Sequence, residues 1–493
     1  MKKYLIIAGI LILFGKNLYA QLEFISGQQD TVYAELIPNV SMVYPGDVLK
    51  VKVKTLPGCN VSWLNGNVLE ELPVDEANGI AGIYTGQYAV KENDSLLASP
   101  ITVTVKNGEQ SISKEIAKNI MVIDPSKPLY VRSKGVRPYL NYGLGKGRLG
   151  GAKIGYISPE IDMKVLSKVD DLYKVQLSKW RSAWISEKDV EEPVIRRLFK
   201  PDALTSSWNV YGDDSYDYVK INLSDKLPYR SFQEVNPARI VVDIYGVASN
   251  TVWITQMLTT KTIANVNYEQ IEDDVLRIFI DLNCKQHWGH GVYYEDNRLV
   301  IRVKHQPKQL KIKGLRIALD AGHGGESDGA VGTTGLKEKD VNLELVMMLK
   351  AELEKRGAYI ILTRSDDSDI NIQQRLNYLS LQKPDILISI HNNYSEENPI
   401  ATKGTGTYYR YIGYRPLSAA ILTKLLELGI ENSGNVGSFN FGLNSPTEYP
   451  NVLVEGLFLS CPEDEAKLID KNFKRKLMKK IVEGLEDFLK NAR

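Results

Sequence analysis

The hydrophobic pattern of the chain changes at Leu315, and this change limits the folds available to it. Before Leu315, apolar residues alternate with polar ones at a period of two, which is typical of half-buried β-strands. After Leu315, short apolar runs alternate with segments in which apolar residues recur every three to four positions, as in amphipathic helices. The sequence therefore predicts a multidomain protein with all-β domains first and an α/β domain last.

The length and composition narrow the classes of protein that fit. The chain has 493 residues, more than one hydrophobic core usually covers, so we expect several domains. Its formal net charge of +1 gives no basic excess, and we expect no nucleic-acid partner. Cys59, Cys284 and Cys461 lie too far apart for a CxxC metal site or a disulfide framework. We interpret them as small buried hydrophobes, with a single disulfide left open.

The first twenty residues have the pattern of a secretory signal peptide. Lys2 and Lys3 precede the apolar run from Tyr4 to Phe14, which is too short to span a bilayer comfortably, and Ala20 offers a small residue for cleavage. We expect residues 1–20 to be removed and the protein to be exported, to the periplasm or the cell wall, with no stable membrane span afterwards. An uncleaved anchor is the alternative.

Three β domains are predicted ahead of the change in pattern. Residues 21–125 are expected to form an immunoglobulin-like β-sandwich. Apolar and polar residues alternate within the predicted strands, and turn signals separate one strand from the next. Residues 129–192 resemble a bacterial SH3-type domain in the spacing of their short strands, with an exposed Gly-rich loop from Asn141 to Gly151. Residues 196–306 are again strand-like.

Residues 314–493 are predicted to form an α/β domain. Their apolar runs and helical stripes follow the order strand, helix, strand, helix, strand, which indicates a mostly parallel sheet with helices on both faces. The predicted strands begin near Leu315, Tyr359, Ile386 and Val452. A further helix opens at Pro416, and Ser460 with Glu463 resembles a capping box for the last helix.

Three residues of metal-binding type fall near the carboxyl ends of the predicted strands, where open parallel sheets bind ligands. His323 follows the first strand, His391 ends the third, and Glu338 begins the first helix on the same face as Val341 and Leu345. Two histidines and one glutamate with an open position match a catalytic zinc site. Taken singly, each also fits an ordinary role: a loop histidine, a strand-end histidine, or a helix N-terminal charge.

Residues 315–490 resemble the zinc-dependent N-acetylmuramoyl-L-alanine amidases called amidase 3. The resemblance rests on segments that occur in order and at approximate spacing: DAGHGG, GLKEKDVNL, LTRSDD, ISIHNN and VLVEGLFLSCPEDE. It implies that the Zn²⁺ ligands are His323, Glu338 and His391, and that the catalytic residue is Glu455. A structural carboxylate is the alternative for Glu455, although an unpaired charge within an apolar strand would be costly.

The resemblance also implies a reaction. It is hydrolysis of the amide that joins the lactyl group of N-acetylmuramic acid to L-alanine in peptidoglycan, in cell-wall remodelling or cell separation. Zinc would activate water and polarise the carbonyl, while Glu455 moves the proton. Two other functions stay open: a protein that only binds peptidoglycan, and a zinc peptidase acting on the stem peptide. The presence of Glu455 argues against the first.

Other polar residues near these motifs have less specific roles. Arg364 and Arg375 would hold a carboxylate of the stem peptide or form structural ion pairs, and we favour ion pairs. Asn342 and Asn392 are expected to hydrogen-bond the ligands. The family often has an arginine shortly before the catalytic strand, but Phe441–Ser445 contains none, which puts substrate contacts in doubt.

The β-rich region before the catalytic domain is predicted to serve targeting. Residues 196–306 resemble the localisation domain that often precedes secreted amidases, and we expect residues 22–306 to direct the enzyme to the wall. His287 and His290 allow a second metal site there, but no third ligand is in view, so we interpret them as ordinary loop histidines.

The segment between His391 and Glu455 bears on regulation. Some relatives place a helix there that plugs the site until a partner removes it. A strand, one helix from Pro416 and the loop Asn432–Pro450 account for this segment. We therefore predict an open site and activity of residues 310–493 without an activator, although the loop could fold over the groove. Any protein activator stays unknown.

Overall fold

The computed structural model describes residues 32–145, 147, 149–195 and 203–493. The predicted signal peptide lies outside these residues. Contacts divide the described chain into two compact units. The described residues of the first unit fall within 1–131, 164–175 and 193–197. Those of the second unit fall within 132–163, 176–192 and 198–493. Of the described helices, none combines the length and apolar character that crossing a membrane requires.

The first unit contains a β-sandwich. Its strands are β1 (Tyr33–Leu36), β2 (Val40–Val43), β3 (Val48–Lys54), β4 (Asn60–Trp63), β5 (Asn67–Val68), β6 (Glu70–Glu71), β7 (Ile83–Ala89), β8 (Ile101–Asn107), β9 (Gln110–Ala117) and β10 (Met121–Val122). One sheet has the order β1-β3-β7-β6 and the other β5-β4-β8-β9. Val51 and Val53 from the first sheet share one core with Val61 and Trp63 from the second. The immunoglobulin-like topology stays a prediction.

A smaller set of strands follows: β11 (Leu129–Arg132), β12 (Tyr139–Asn141), β13 (Lys153–Tyr156), β14 (Asp162–Val169), β15 (Leu172–Gln176), β16 (Ser182–Ser186) and β17 (Val194–Ile195). A 3₁₀ turn spans Glu187–Asp189. β14 pairs with β15 and with β2, whereas β12 pairs with β13 and β16. The two compact units therefore divide the predicted domain 129–192 between them, and its SH3-type identity stays a prediction.

The second unit continues with ten strands: β18 (Ala203–Gly212), β19 (Tyr216–Leu223), β20 (Tyr229–Val235), β21 (Ala238–Tyr245), β22 (Val247–Ala248), β23 (Ile254–Gln256), β24 (Ile263–Glu272), β25 (Val275–Leu282), β26 (His290–Glu295) and β27 (Arg298–Lys304). They form a six-stranded and a four-stranded sheet. Asp243 is fully buried, and Arg230 and Arg277 both donate to its carboxylate.

The C-terminal domain contains six strands: β28 (Arg316–Ala321), β29 (Tyr359–Leu362), β30 (Ile386–Asn393), β31 (Thr405–Tyr408), β32 (Asn432–Val436) and β33 (Asn451–Phe458). Its helices are α1 (Glu338–Glu354), α2 (Ile372–Gln382), α3 (Arg415–Leu426), α4 (Pro462–Ile469) and α5 (Lys471–Asn491), with 3₁₀ turns at Ile412–Tyr414 and Gly442–Asn444. The α/β fold predicted for residues 314–493 is confirmed.

The sheet of this domain has the order β29-β28-β30-β33-β31-β32. The first four strands run parallel, while β31 runs antiparallel to β33. Ile317 and Leu319 face a core that includes residues of α1, α3 and α5, whereas Ala318 faces a second core with Leu376 and Leu379 of α2. Helices therefore cover both faces, and the carboxyl ends of β28, β30 and β33 lie side by side.

The helix predicted to open at Pro416 is present as α3, which ends at Leu426. The prediction for the last helix was wrong. The last helix is two helices, and Cys461 caps the first of them without a side-chain bond. Ser460 does not cap it, because its hydroxyl accepts from the Ser395 amide instead. Asp470 separates α4 from α5 and caps α5 by accepting from the Asn472 amide.

Candidate metal centre and catalytic site

The three predicted metal-binding residues lie together at the carboxyl edge of the sheet. His323 Nε2 lies 3.1 Å from Glu338 Oε2, and His391 Nδ1 lies 3.0 Å from Glu338 Oε1. One donor atom from each of the three residues lies within 4.8 Å of the others. Across the described ranges, no other group of three or more His, Cys, Asp or Glu side chains meets this condition.

Glu338 is held from several sides. It is the first residue of α1 and only 4% exposed, since it lies under the loop that carries His323. The amides of Ala330 and Asn392 donate to its two carboxylate oxygens, at 2.9 and 3.1 Å. Asn342, one helical turn along α1, donates to Oε1 at 3.1 Å. The carboxylate therefore has a fixed orientation between the two histidines.

The two asparagines named in the sequence form a chain behind the carboxylate. Asn392 Nδ2 donates to Asn342 Oδ1 at 2.8 Å, and Asn392 Oδ1 accepts from the Leu457 amide at 3.1 Å. Both side chains are buried. This chain ties the start of α1 to β30 and β33, so the asparagines support Glu338 as expected.

Two glycines leave the space that the site needs. A Cβ on Gly322 would lie 2.3 Å from the imidazole of His391. A Cβ on Gly329 would lie 2.5 Å from the Glu338 carboxylate, and its φ of +70° also favours glycine. These two glycines therefore allow the backbone of the loop to approach the side chains of His391 and Glu338 closely.

The charges in the cluster stabilise one another. Burial raises the pKa of the Glu338 carboxyl, but hydrogen bonds with His323 and His391 outweigh burial and hold that pKa well below its usual range. Burial lowers the pKa of His391, but the hydrogen bond with Glu338 and the negative charges of nearby carboxylates, Glu338 first among them, together outweigh burial and raise the pKa. The site thus presents a carboxylate anion between two imidazoles, a donor set that suits a divalent cation.

Arg375 forms the structural ion pair that we favoured, whereas the Arg364 guanidinium has a structural role through bonds to backbone oxygens. Arg375 pairs with the fully buried Asp320 at 2.7 Å and donates to the backbone oxygens of Ala321 and His323, each at 2.6 Å. Arg364 donates to the backbone oxygens of Ala321 at 2.9 Å and of Gly322 at 3.1 Å. Both guanidinium groups therefore hold the loop on which His323 lies.

Glu455 lies on β33 directly beside His391 of β30 in the strand register. Its side chain is half-buried, whereas the residues on either side of it are buried. Thr405 fixes its backbone by donating to the Glu455 carbonyl oxygen at 2.9 Å. The structure therefore brings the fourth predicted residue to the same edge of the sheet as the other three.

A loop of residues 437–445, which we call the aromatic loop, lies against His323, Glu338 and His391, the candidate metal-binding cluster. The ring of Phe441 meets the His391 imidazole edge to face, with centroids 5.6 Å apart. Phe439 contacts Phe441 at 6.1 Å and Tyr408 at 4.7 Å. The absence of arginine from Phe441–Ser445 was visible in the sequence, but the role of the two aromatic residues, Phe439 and Phe441, was not predicted.

The remaining candidates do not join the site. His287 and His290 are buried in the preceding β domain, where their Nε2 atoms contact the Glu234 carbonyl oxygen and the Ser231 hydroxyl. Within the described residues they share no third metal donor. Cys59, Cys284 and Cys461 are free thiols, the first and last buried.

Family models match two parts of the chain. Residues 317–487 match the family described as N-acetylmuramoyl-L-alanine amidase, and residues 209–316 match the AMIN domain. The AMIN match overlaps the range in which a localisation-type β domain was expected. The residues of the SH3-type resemblance lie outside both matches.

Several curated proteins are similar to this chain. The uncharacterized protein YqiI of Bacillus subtilis is 32% identical over 181 residues, which cover 36% of this chain and 86% of YqiI. The N-acetylmuramoyl-L-alanine amidase LytC of the same organism is 33% identical, over 36% of each chain. The amidase AmiC of Neisseria meningitidis serogroup B is 25% identical, over 56% of this chain and 88% of AmiC.

Among solved structures, the catalytic domain of the amidase CwlV from Bacillus (Paenibacillus) polymyxa var. colistinus is 29% identical, with a TM-score of 0.34 over 36% of this chain and 99% of that domain. The family assignment rests on the sequence matches: residues 317–487, which the family model matches, contain His323, Glu338, His391 and Glu455. The chain therefore belongs to the N-acetylmuramoyl-L-alanine amidase family, with an AMIN domain directly ahead of its catalytic domain.

Proposed function

We propose that this protein is a zinc-dependent amidase that hydrolyses the bond between N-acetylmuramic acid and the L-alanine of the stem peptide. Family membership supports peptidoglycan amidase activity as such. The proposals that the enzyme uses zinc and that individual residues have stated roles rest on the geometry of the site. We further propose that the reaction serves remodelling of the cell wall or separation of daughter cells.

The observation that carries the proposal is the close approach of three donor side chains. His323 Nε2 lies 3.1 Å from Glu338 Oε2, and His391 Nδ1 lies 3.0 Å from Glu338 Oε1. One donor atom from each residue lies within 4.8 Å of the others, so two imidazoles and a carboxylate, the donor types of a catalytic zinc site, are close enough to share one ion. His323 Nδ1 lies 3.0 Å from the Ser327 hydroxyl, which orients the ring so that Nε2 faces the carboxylate.

The proposed reaction needs a metal ion to activate its reactants and Glu455 to transfer the proton. When bound, zinc would polarise the amide carbonyl and activate water. Glu455 lies beside His391, where its carboxylate takes a proton from the attacking water and delivers it to the leaving amine. Asn342 and Asn392 keep Glu338 oriented throughout, because their hydrogen bonds do not involve the substrate.

Targeting is the role we propose for the β-rich region. The AMIN domain and the cell-wall amidases among the relatives support a periplasmic or wall-associated location, with peptidoglycan as the partner. The AMIN domain contributes no residue to the metal-binding cluster. The catalytic chemistry therefore lies in the C-terminal domain.

The test combines metal analysis with two variants of the full chain. The purified protein should hold about one zinc, as a single three-ligand site implies, and chelation should abolish hydrolysis of peptidoglycan until zinc is restored. His391→Ala should lose both zinc and activity. Glu455→Gln should keep zinc and lose about 10²–10⁴-fold in turnover.

Glu396→Gln, an exposed substitution in the same domain, is the matched control and should change neither property. Full activity in metal-free protein would contradict the zinc proposal. Near-normal turnover of Glu455→Gln with zinc in place would remove Glu455 from the chemistry.

A further inference from the structure

The aromatic loop is connected to a distant part of the chain through one side chain. Asn440 lies between Phe441, whose ring contacts His391, and Phe439, whose ring contacts Phe441. It contacts the hairpin of β12 and β13, which belongs to the same compact unit as the catalytic domain. The hairpin loop is part of the Gly-rich stretch that the sequence predicts as exposed.

All the hydrogen-bonding capacity of the Asn440 amide is used. Its Nδ2 donates to the carbonyl oxygens of Leu149, at 2.9 Å, and Gly151, at 2.8 Å. Its Oδ1 accepts from the Lys153 amide at 3.1 Å and from the Arg410 guanidinium at 2.9 Å. Three of these four partners belong to the hairpin, so the contact is directional and specific.

Further bonds tie the same three segments together. Lys153 Nζ donates to the Asn440 carbonyl oxygen at 3.3 Å, and the Arg410 guanidinium also donates to the Lys153 carbonyl oxygen. Arg410 follows β31 closely, so the hairpin, the aromatic loop and the edge of the catalytic sheet form one network. A loop with only one 3₁₀ turn of its own, Gly442–Asn444, thereby gains a fixed position.

One of the two rings beside Asn440 contacts the candidate site, and the other packs next to it. Phe441 and Phe439 are both half-buried, and Phe441 meets the His391 imidazole directly. The substrate under the proposed function carries two methyl groups beside the scissile amide, on the lactyl group and on L-alanine. Aromatic rings favour contact with such apolar groups. Rings that line one side of the site would therefore fix the orientation of the amide next to the metal.

We propose that the β12–β13 hairpin completes the active site by holding the aromatic loop through Asn440, and that Phe441 and Phe439 form the wall that receives the apolar side of the substrate. Asn440 is a positioning residue, since it acts through the rings on either side of it. This inference rests on the proposed function for the identity of the substrate. The hydrogen bonds by which the hairpin fixes the aromatic loop through Asn440 do not depend on that function.

The test uses the full chain with Asn440→Ala and, as a matched control, the exposed Asn398→Ala of the same domain. Hydrogen exchange is measured for residues 437–445 and for the hairpin, together with zinc content and the kinetics on a soluble muropeptide. Asn440→Ala should keep zinc, exchange faster in both segments, and lose about tenfold in kcat/KM, mostly through KM, because the wall is misplaced. Asn398→Ala should match the wild type in all three.

Phe441→Leu provides a second variant that leaves Asn440 and the hairpin bonds intact. It should raise KM without faster exchange in the hairpin, and it decides the role of the wall if Asn440→Ala fails to fold. Wild-type exchange and KM in Asn440→Ala would overturn the proposal, as would faster exchange without a change in KM. A wild-type enzyme without amidase activity would refute the proposed function, whereas exchange would still report on the hold by Asn440.

Discussion

Replacing Asp320 by asparagine should destabilise the catalytic domain strongly. The Asp320 carboxylate is fully buried at the end of β28 and accepts from Arg375 at 2.7 Å, Thr363 at 2.6 Å and Ser389 at 2.6 Å. Burial raises the pKa of this carboxyl, but the charge of Arg375 and the hydrogen bonds from Ser389 and Thr363 together outweigh burial, so the pKa is lowered. The group is therefore charged in the folded protein.

The size of the effect follows from what the substitution leaves behind. Asparagine keeps the shape of the side chain but removes its charge, so the Arg375 guanidinium, only 3% exposed, stays buried without an anion. Breaking a buried ion pair in this way costs about 3–5 kcal/mol. Domains unfold with about 5–15 kcal/mol in total, so this loss is a large fraction of the stability.

A second consequence concerns the metal. Arg375 also donates to the backbone oxygens of Ala321 and His323, which lead into the metal-binding cluster. A guanidinium that has lost its anion will hold this loop less firmly. We therefore expect Asp320→Asn to lower zinc affinity by about 10–100-fold, the usual effect of disturbing residues that support ligands.

Native-state hydrogen exchange of peptides from β28 and β30 measures the unfolding free energy of this domain within the full chain. The measurement is made with chelator present, so that metal binding does not contribute to stability. Glu486→Gln is the matched control, since the pair between Glu486 and Arg356 is 48% and 32% exposed and should contribute less than about 1 kcal/mol. Equal effects of the two substitutions would refute the reasoning about burial.

Two further substitutions test other parts of the account. Gly322→Ala should lower the zinc content, because its Cβ would lie 2.3 Å from the His391 ring. Gly155→Ala is the control and should leave the zinc content unchanged, since a Cβ there meets no atom within 4 Å. Equal zinc contents in the two variants would contradict this. Burial, reinforced by the charge of His287, lowers the pKa of His290 from 6.5 to about 3. Between these values the unfolded chain binds a proton that the folded protein does not, so the unfolding free energy should fall on acidification by up to about 1.4 kcal/mol per pH unit. His290→Asn should flatten this slope in acid-unfolding measurements, and an unchanged slope would show that His290 does not titrate as proposed.

The metal-binding cluster was predictable because its determinants are local. His323 and His391 follow apolar runs that read as strands, and Glu338 begins a helix whose apolar stripe fixes its face. Parallel strands place their carboxyl ends at one edge, so three local patterns were enough to bring the residues together. Asp320 also lies at the end of an apolar run that reads as a strand. A single acidic residue in that position does not indicate that Arg375 is its ion-pair partner.

The hold on the aromatic loop was not predictable in this way. Asn440 bonds to backbone oxygens nearly 300 positions earlier in the chain, and backbone acceptors leave no signature in a sequence. The sequence alone predicts that residues 310–493 are active without the rest of the chain. Because the hairpin lies outside that fragment, the structure leads us to expect a slower enzyme from the fragment than from the full chain.

Mass spectrometry of digested peptidoglycan tests the central claim most directly. The zinc-loaded full chain is incubated with purified peptidoglycan, and Glu455→Gln serves as the parallel control. The account predicts free stem peptides that begin with L-alanine, together with glycan strands of unchanged length, and neither product from the variant. Fragments cut within the stem peptide, or shortened glycan strands with their peptides still attached, would contradict it.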